Sequence, residues 1–167
     1  MTTKNVGVIG LGAMGLGIAK TLRNNGYNVH ACDVRPGSAA DFAKDGGVAC
    51  SSPADLAARV DVVISVVVNA AQTESVLFGE QGAAAAMKAG SVFVMCSTVD
   101  PNWSIALEAR LAEAGILYVD GPISGGAAKA AAGQMTMMTS ARPEAYAVAG
   151  EVLDNICLLY TSDAADE

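Results

Sequence analysis

The chain has 167 residues, with 10 Lys+Arg against 17 Asp+Glu and a formal net charge of -7, a length that suits one domain with a full core. Hydrophobic residues make up 52% and charged ones 16%, and the mean hydropathy of +0.38 excludes an acid-rich disordered chain. A pI near 4.6 and 5% aromatics argue against a nucleic-acid partner, which needs a basic face and stacking rings, and no stretch reaches the ~18 apolar residues of a membrane-spanning helix.

Short β-branched runs alternate with Ala-rich stretches from the start. Asn5-Val6-Gly7-Val8-Ile9 reads as a buried strand, and Ala13 to Asn25 as a helix with Ile18 and Leu22 on one face. The run from Asn5 to Ala19 follows Lys4 and mimics a secretory signal, but Gly7, Gly10, Gly12, Gly15 and Gly17 would break a signal helix. The expected location is therefore the cytoplasm. Tyr27 to Cys32 is a second strand, Pro36 to Lys44 a helix with an early proline, Val48-Ala49 a brief strand, and Pro53 to Ala58 a short helix. Val62 to Val68 is the strongest central-strand signal. Ala70 to Leu77 and Ala83 to Met87 look helical, and Ser91 to Met95 is a strand.

Asp100-Pro101 opens a helix in which Trp103, Leu107 and Leu111 recur every fourth residue, and Gly115 ends it. Ile116 to Val119 and Met135 to Thr139 are strands, with Met135, Met137 and Met138 expected in the core. Arg142-Pro143 opens a last helix burying Ala149, Val152, Leu153 and Ile156. Near-continuous apolar strands alternating with helices predict a Rossmann-type, doubly wound α/β fold with a mainly parallel sheet. Cys32, Cys50, Cys96 and Cys157 form no C-x-x-C pair, so neither a metal site nor a disulfide framework is expected.

Gly10-Leu11-Gly12-Ala13-Met14-Gly15 lies between the first strand and the first helix, the context that gives a G-x-G-x-x-G meaning. Gly10 permits the tight turn, Gly12 lets the backbone approach a pyrophosphate, and Gly15 allows close helix–strand contact. The helix start offers free N–H groups and partial positive charge to that anion. Asp33 closes the second strand, 18 residues after Gly15, where a carboxylate accepts hydrogen bonds from the adenosine ribose and repels a 2′-phosphate. The expected cofactor is thus NAD. Arg35 has two readings, covering the adenine face or tolerating a phosphate. Asn69 and Gln72 follow the central strand toward the same crevice, where ligand contact and helix-start chemistry compete.

A second cluster, Asp120-Gly121-Pro122-Ile123-Ser124-Gly125-Gly126, follows the strand ending at Val119. Its hydroxyl and exposed N–H groups suit a substrate carboxylate, although a loop rich in turn residues has the same composition. Together, Gly7-Val8-Ile9-Gly10-Leu11-Gly12-Ala13-Met14-Gly15, with its methionine, and Asp120 to Gly126, followed by Ala130 and Gly133, resemble the β-hydroxyacid (3-hydroxyisobutyrate) dehydrogenase family. Gly121 stands where that family usually has a small residue such as alanine. Cys96-Ser97-Thr98-Val99-Asp100-Pro101 is similar to its nicotinamide-side loop, with Thr98 at the cofactor position. His30 to Arg35 and Val67-Val68-Asn69-Ala70 look most like the L-threonate dehydrogenase branch.

The resemblance implies NAD-linked oxidation of a hydroxyl on a small hydroxy acid. It implies cofactor contacts at Gly10, Leu11, Gly12, Ala13, Met14, Gly15, Asp33, Arg35, Val68, Asn69 and Thr98, and substrate-carboxylate contacts at Ser124, Gly125 and Gly126. In the family the general acid/base is a lysine in a G-x-G-x-x-x-K motif, which this sequence lacks; Lys129 does not match it. The expectation is that this lysine and the family's all-helical C-terminal domain lie beyond the chain end, and that the full-length protein is a homo-oligomer. Cys157 to Glu167 resembles the in-frame translation of a sequencing adapter, which implies an NAD-binding domain over residues 1–156 and a non-native tail over 157–167.

His30, the single histidine, is expected as a satisfied strand residue, and neither Tyr118 nor Tyr146 has the lysine of a Tyr-x-x-x-Lys pair. Three functions compete. The first is an NAD-dependent dehydrogenase of threonate, 3-hydroxyisobutyrate or 2-hydroxy-3-oxopropionate. The second is a non-catalytic NAD-binding module such as a redox-sensing regulator, which has no need of Ser-Gly-Gly. The third is an NADP-dependent imine or semialdehyde reductase, against which Asp33 weighs.

Overall fold

The computed structural model describes the backbone of residues 4–164 and the side chains of residues 4–158. In chain order the elements are β1 (Asn5–Ile9), α1 (Ala13–Asn24), β2 (Asn28–Cys32), α2 (Ser38–Lys44), β3 (Val48–Ala49), α3 (Pro53–Ala57), β4 (Val62–Ser65), α4 (Ala70–Phe78), β5 (Val92–Met95) and α5 (Pro101–Glu113). They continue with β6 (Leu117–Asp120), β7 (Ile123–Ser124), α6 (Gly126–Ala132), β8 (Met135–Ala141), α7 (Pro143–Ile156) and β9 (Cys157–Ala164). The sheet runs β3-β2-β1-β4-β5-β6-β8-β7, with β9 pairing β8. Strands β1 to β6 pair in parallel, whereas β8 is antiparallel to β6 and β7.

Alternate strand residues feed two cores, because successive side chains point to opposite faces. Val6, Val8, Val62, Ile64, Val92 and Val94 pack with Ile18 and Leu22 of α1 and Leu153 of α7. Ile9, Val63, Phe93 and Met95 pack with Leu56 of α3, Leu77 of α4, and Leu107 and Leu111 of α5. Helices therefore cover both faces, as a doubly wound sheet requires. The chain winds outward through β2 and β3 on one side of β1 and through β4 to β6 on the other. That reversal leaves a crevice beyond the carboxyl ends of β1 and β4.

Several expected elements differ. The run expected as one strand from Val62 to Val68 ends at Ser65. Val66 N still donates to Ile9 O at 2.8 Å, but β1 stops at the Gly10 turn, so Val67 and Val68 have no ladder partner and enter the crevice rim. Helix α2 starts at Ser38, after a Pro36-Gly37 turn with Gly37 at φ 86°. Ala83 to Met87 makes a single turn, closed by Met87 N on Ala83 O at 3.0 Å. The second glycine cluster, expected as loop, contains β7 and starts α6. Met135 and Met137 are buried, but Met138 is 71% exposed, because strand alternation turns it outward. Of the segment expected as a tail, residues 157–164 form β9 beside β8, and 165–167 lie outside the described residues.

All four cysteines are free and buried, and burial pushes the Cys32 thiol up to about 12. His30 is also buried. Asn28 Nδ2 donates to Asn5 Oδ1 at 2.7 Å and lies 3.3 Å from His30 Nε2. Nε2 is therefore the acceptor, and Nδ1–H faces Cys50 Sγ at 4.0 Å. Burial first, and the Arg59 charge second, hold His30 below its ordinary range. An unfolded histidine binds a proton near pH ~6.5 and the folded one only at lower pH, so stability falls as pH drops below that point. His30→Leu is expected to flatten this slope between about pH 5 and 6.5 in a series of melting curves. Equal slopes in parent and variant would mean that His30 is not held neutral.

Candidate functional site

The glycines of the first loop differ in what surrounds them. Gly10 has φ 96°, and a Cβ there would lie 2.3 Å from Val66 O, so both the turn and the close approach require glycine. A Cβ on Gly15 would lie 1.8 Å from Gly10 O. Gly12 has φ -64° and ψ -172°, which any residue adopts, and a Cβ there would meet nothing within 4 Å. It is the N-cap of α1 and provides no side-chain cap. Ala13 and Met14 form the first turn of α1, with Ala13 exposed and Met14 packed partly against the core. The start of α1 thus presents uncapped N–H groups beside open space, the setting in which a phosphate binds.

Asp33 follows β2. Its Oδ2 accepts from Leu11 N at 2.6 Å, and its Oδ1 accepts from Arg35 N at 2.7 Å and Arg35 Nε at 3.2 Å. Burial opposes ionisation, but the hydrogen bonds from Arg35 and Leu11 prevail and hold this carboxyl below the usual carboxylate range. Arg35 Nη2 also donates to Leu11 O at 2.7 Å. A crevice of about 770 Å³ opens here, lined by Gly10, Gly12, Asp33, Arg35 and Val68 among the expected residues. Ser51, Ser52 and Gln81 complete its far wall. Gln81 holds φ 57°, uncommon for a side-chain-bearing residue, and its carbonyl accepts from Ala54 N at 2.9 Å. No motif marked these three residues.

The rim beyond β4 is built by polar contacts. Asn69 caps α4, with Oδ1 accepting from Gln72 N at 2.9 Å, while Gln72 Oε1 accepts from Val68 N at 2.7 Å. This reciprocal pair is helix-start chemistry; Gln72 also lines the crevice, whereas Asn69 does not. Val68 is 78% exposed. Ser97 Oγ donates to Val67 O at 2.6 Å and ties the loop after β5 to this rim. Thr98, next in that loop, is exposed and outside the crevice lining.

Ser124, Gly125 and Gly126 are exposed at the junction of β7 and α6, with Gly125 at φ 131° and Gly126 at φ 76°. They do not line the crevice, but α6 is seated directly on α1. Thr21 Oγ1 donates to Ala130 O at 2.9 Å, and a Cβ on Gly17 would lie 2.8 Å from Ala131 N. At the start of this segment Ser104 Oγ donates to Asp120 Oδ2 at 2.8 Å and lies 2.8 Å from Tyr118 OH. Burial raises the Asp120 pKa against the opposing effect of that bond. A second cavity of about 480 Å³ lies at the amino ends of β1, β4 and β5, beside Lys4, Asp61, Lys88 and Glu151. Its charges are mixed. Among the described residues no group of three or more His, Cys, Asp or Glu is placed to hold a metal, and no helix is long and apolar enough to cross a membrane.

The family described as the NAD binding domain of 6-phosphogluconate dehydrogenase matches residues 5–161. The chain belongs to that family. This NAD-binding domain is 58% identical over 151 residues to L-threonate dehydrogenase of Cupriavidus necator, covering 90% of the chain and 51% of the relative. It is 34% identical over 149 residues to mitochondrial 3-hydroxyisobutyrate dehydrogenase of Mus musculus, covering 89% and 44%. Among solved structures, 3-hydroxyisobutyrate dehydrogenase from Salmonella typhimurium superimposes with a TM-score of 0.91 at 36% identity, covering 96% of this chain and 56% of that one. The chain spans about half the length of the curated relatives it matches.

Proposed function

We propose that this domain binds NAD for an oxidoreductase that oxidises a hydroxyl of a small hydroxy acid, with L-threonate the favoured substrate. The observation that carries the cofactor reading is Gly12, an uncapped helix start with nothing within 4 Å of its missing Cβ. Main-chain N–H groups of residues 12–15 would hold the pyrophosphate, and Asp33 would accept the adenosine ribose hydroxyls. Val68, Asn69 and Thr98 would flank the nicotinamide side, and Ser124, Gly125 and Gly126 would receive the substrate carboxylate. NAD bound there would supply the hydride acceptor. The choice of L-threonate rests on the 58% identity to a dehydrogenase of that name.

Neither lysine nor histidine lines the crevice, so the lysine that serves the resembling dehydrogenases as general acid/base has no counterpart there. The 167-residue chain is therefore expected to bind cofactor and to turn over negligibly. Fluorescence titration with NADH and NADPH tests the assignment: NADH should bind more tightly, and Asp33→Ala should weaken it about tenfold, the scale of lost charge-assisted hydrogen bonds. Equal affinity for both cofactors, unaffected by Asp33→Ala, would refute the choice of NAD. Robust NAD reduction with threonate by this chain would contradict the lysine requirement.

A further inference from the structure

Asp33 has no free acceptor position in the unliganded chain. A carboxylate offers about four lone-pair sites. Two receive main-chain donors, Leu11 N at 2.6 Å and Arg35 N at 2.7 Å, and these fix the plane of the group. The other two face the Arg35 guanidinium, with Nε 3.2 Å from Oδ1 and Nη2 3.4 Å from Oδ2. Nη2 also reaches Leu11 O at 2.7 Å, so the guanidinium bridges the turn after β2 to the glycine loop. The two partners differ in exposure: the Asp33 side chain is 7% exposed and that of Arg35 59%. The anion is held in place and the cation lies over it from the solvent side.

Resting on the NAD reading of the crevice, we propose that Arg35 is an internal latch that occupies the acceptor positions of the adenosine ribose and sets the cofactor preference. Two ribose hydroxyls can reach Asp33 only after the guanidinium leaves. Its departure is possible because the Arg35 side chain is 59% exposed, and the cost is loss of its bonds to Asp33 and Leu11 O, which the ribose hydroxyls replace only in part. The neighbouring Val34 is fully exposed. Once displaced, the guanidinium remains within a side chain's reach of the ribose 2′ position. A hydroxyl there gains at most one hydrogen bond from it, whereas a phosphate gains a charge-assisted fork that offsets repulsion from Asp33. Arg35 thus lowers affinity for NADH and raises tolerance of NADPH, which narrows the preference that Asp33 alone would impose.

The test is a titration of the parent chain, Arg35→Ala and Arg35→Met with NADH and with NADPH. Both variants should bind NADH about twofold to fivefold more tightly than the parent, the scale of removing one ion pair, and should bind NADPH more weakly than the parent. Arg35→Met keeps an unbranched stem able to lie on adenine, so it separates the charge from the surface. If both variants weaken NADH, the guanidinium contacts the cofactor directly and the latch is overturned; if Arg35→Ala weakens NADH while Arg35→Met strengthens it, the stem covers the base and the charge still acts as the latch. Unchanged affinities overturn it as well. A parent that binds NADH upholds the crevice reading whichever way Arg35 behaves, and a parent and variants that bind neither cofactor refute both.

Discussion

Gly12→Asp should stabilise the domain and abolish cofactor binding at once. The position is the N-cap of α1, its backbone is already extended, and no atom lies within 4 Å of a new Cβ. Aspartate is among the preferred N-cap residues, and its charge complements the helix start. A gain of roughly a few tenths of a kcal/mol in unfolding free energy is expected. The same carboxylate would take the N–H groups that a pyrophosphate needs and repel it, lowering NADH affinity by at least about a hundredfold, or ~2.7 kcal/mol. Chemical denaturation and fluorescence titration on one preparation measure both effects. If Gly12→Asp is destabilised, or binds NADH like the parent, the open space at Gly12 is not an anion site.

Three residues along the same loop, Gly15→Ala should instead destabilise the domain. Its added methyl would lie 1.8 Å from Gly10 O and 2.9 Å from the Gly10 carbonyl carbon. Both are main-chain atoms of a turn that is itself pressed against Val66 O, so neither can yield cheaply. The cost is expected at roughly 3 kcal/mol or more, the upper end of overpacking penalties. NADH binding would fall with the fold rather than independently of it. A Gly15→Ala chain as stable as its parent would show that α1 does not approach β1 as closely as described. The pair separates a glycine kept for a ligand from a glycine kept for packing.

The parts of the fold legible in the sequence were those set by local pattern. The sequence pattern of Val48-Ala49 and of Asn5 to Ile9 matches the bounds of β3 and β1, and Pro53 and Pro101 open helices α3 and α5. The G-x-G-x-x-G turn and Asp33 were legible because each needs a particular residue type at a particular point of a strand–helix junction. What was not legible depended on pairing between distant segments. Val67 and Val68 have strand-forming side chains, yet they leave the sheet because the neighbouring β1 stops at the Gly10 turn. The cluster after β6 has turn composition, yet Ile123-Ser124 pairs antiparallel with Met137-Thr136, and the following Ala-rich segment is held as a helix by Thr21 and Gly17 of α1. At the site, the Arg35 bridge to Leu11 and the Ser97 bond to Val67 O join residues 24 and 30 positions apart, and neither leaves a signature in spacing.

The central claim is that a dinucleotide lies across the carboxyl ends of β1, β2 and β4, over Gly12. A titration of the isotope-labelled chain with NADH, followed through its backbone amide resonances, tests this most directly. The predicted result is a set of saturable shifts confined to residues 10–15, 33–35, 51–52, 66–69 and 97–98. An absence of shifts, or shifts centred on Lys4, Asp61 and Lys88 at the opposite end of the sheet, would contradict it.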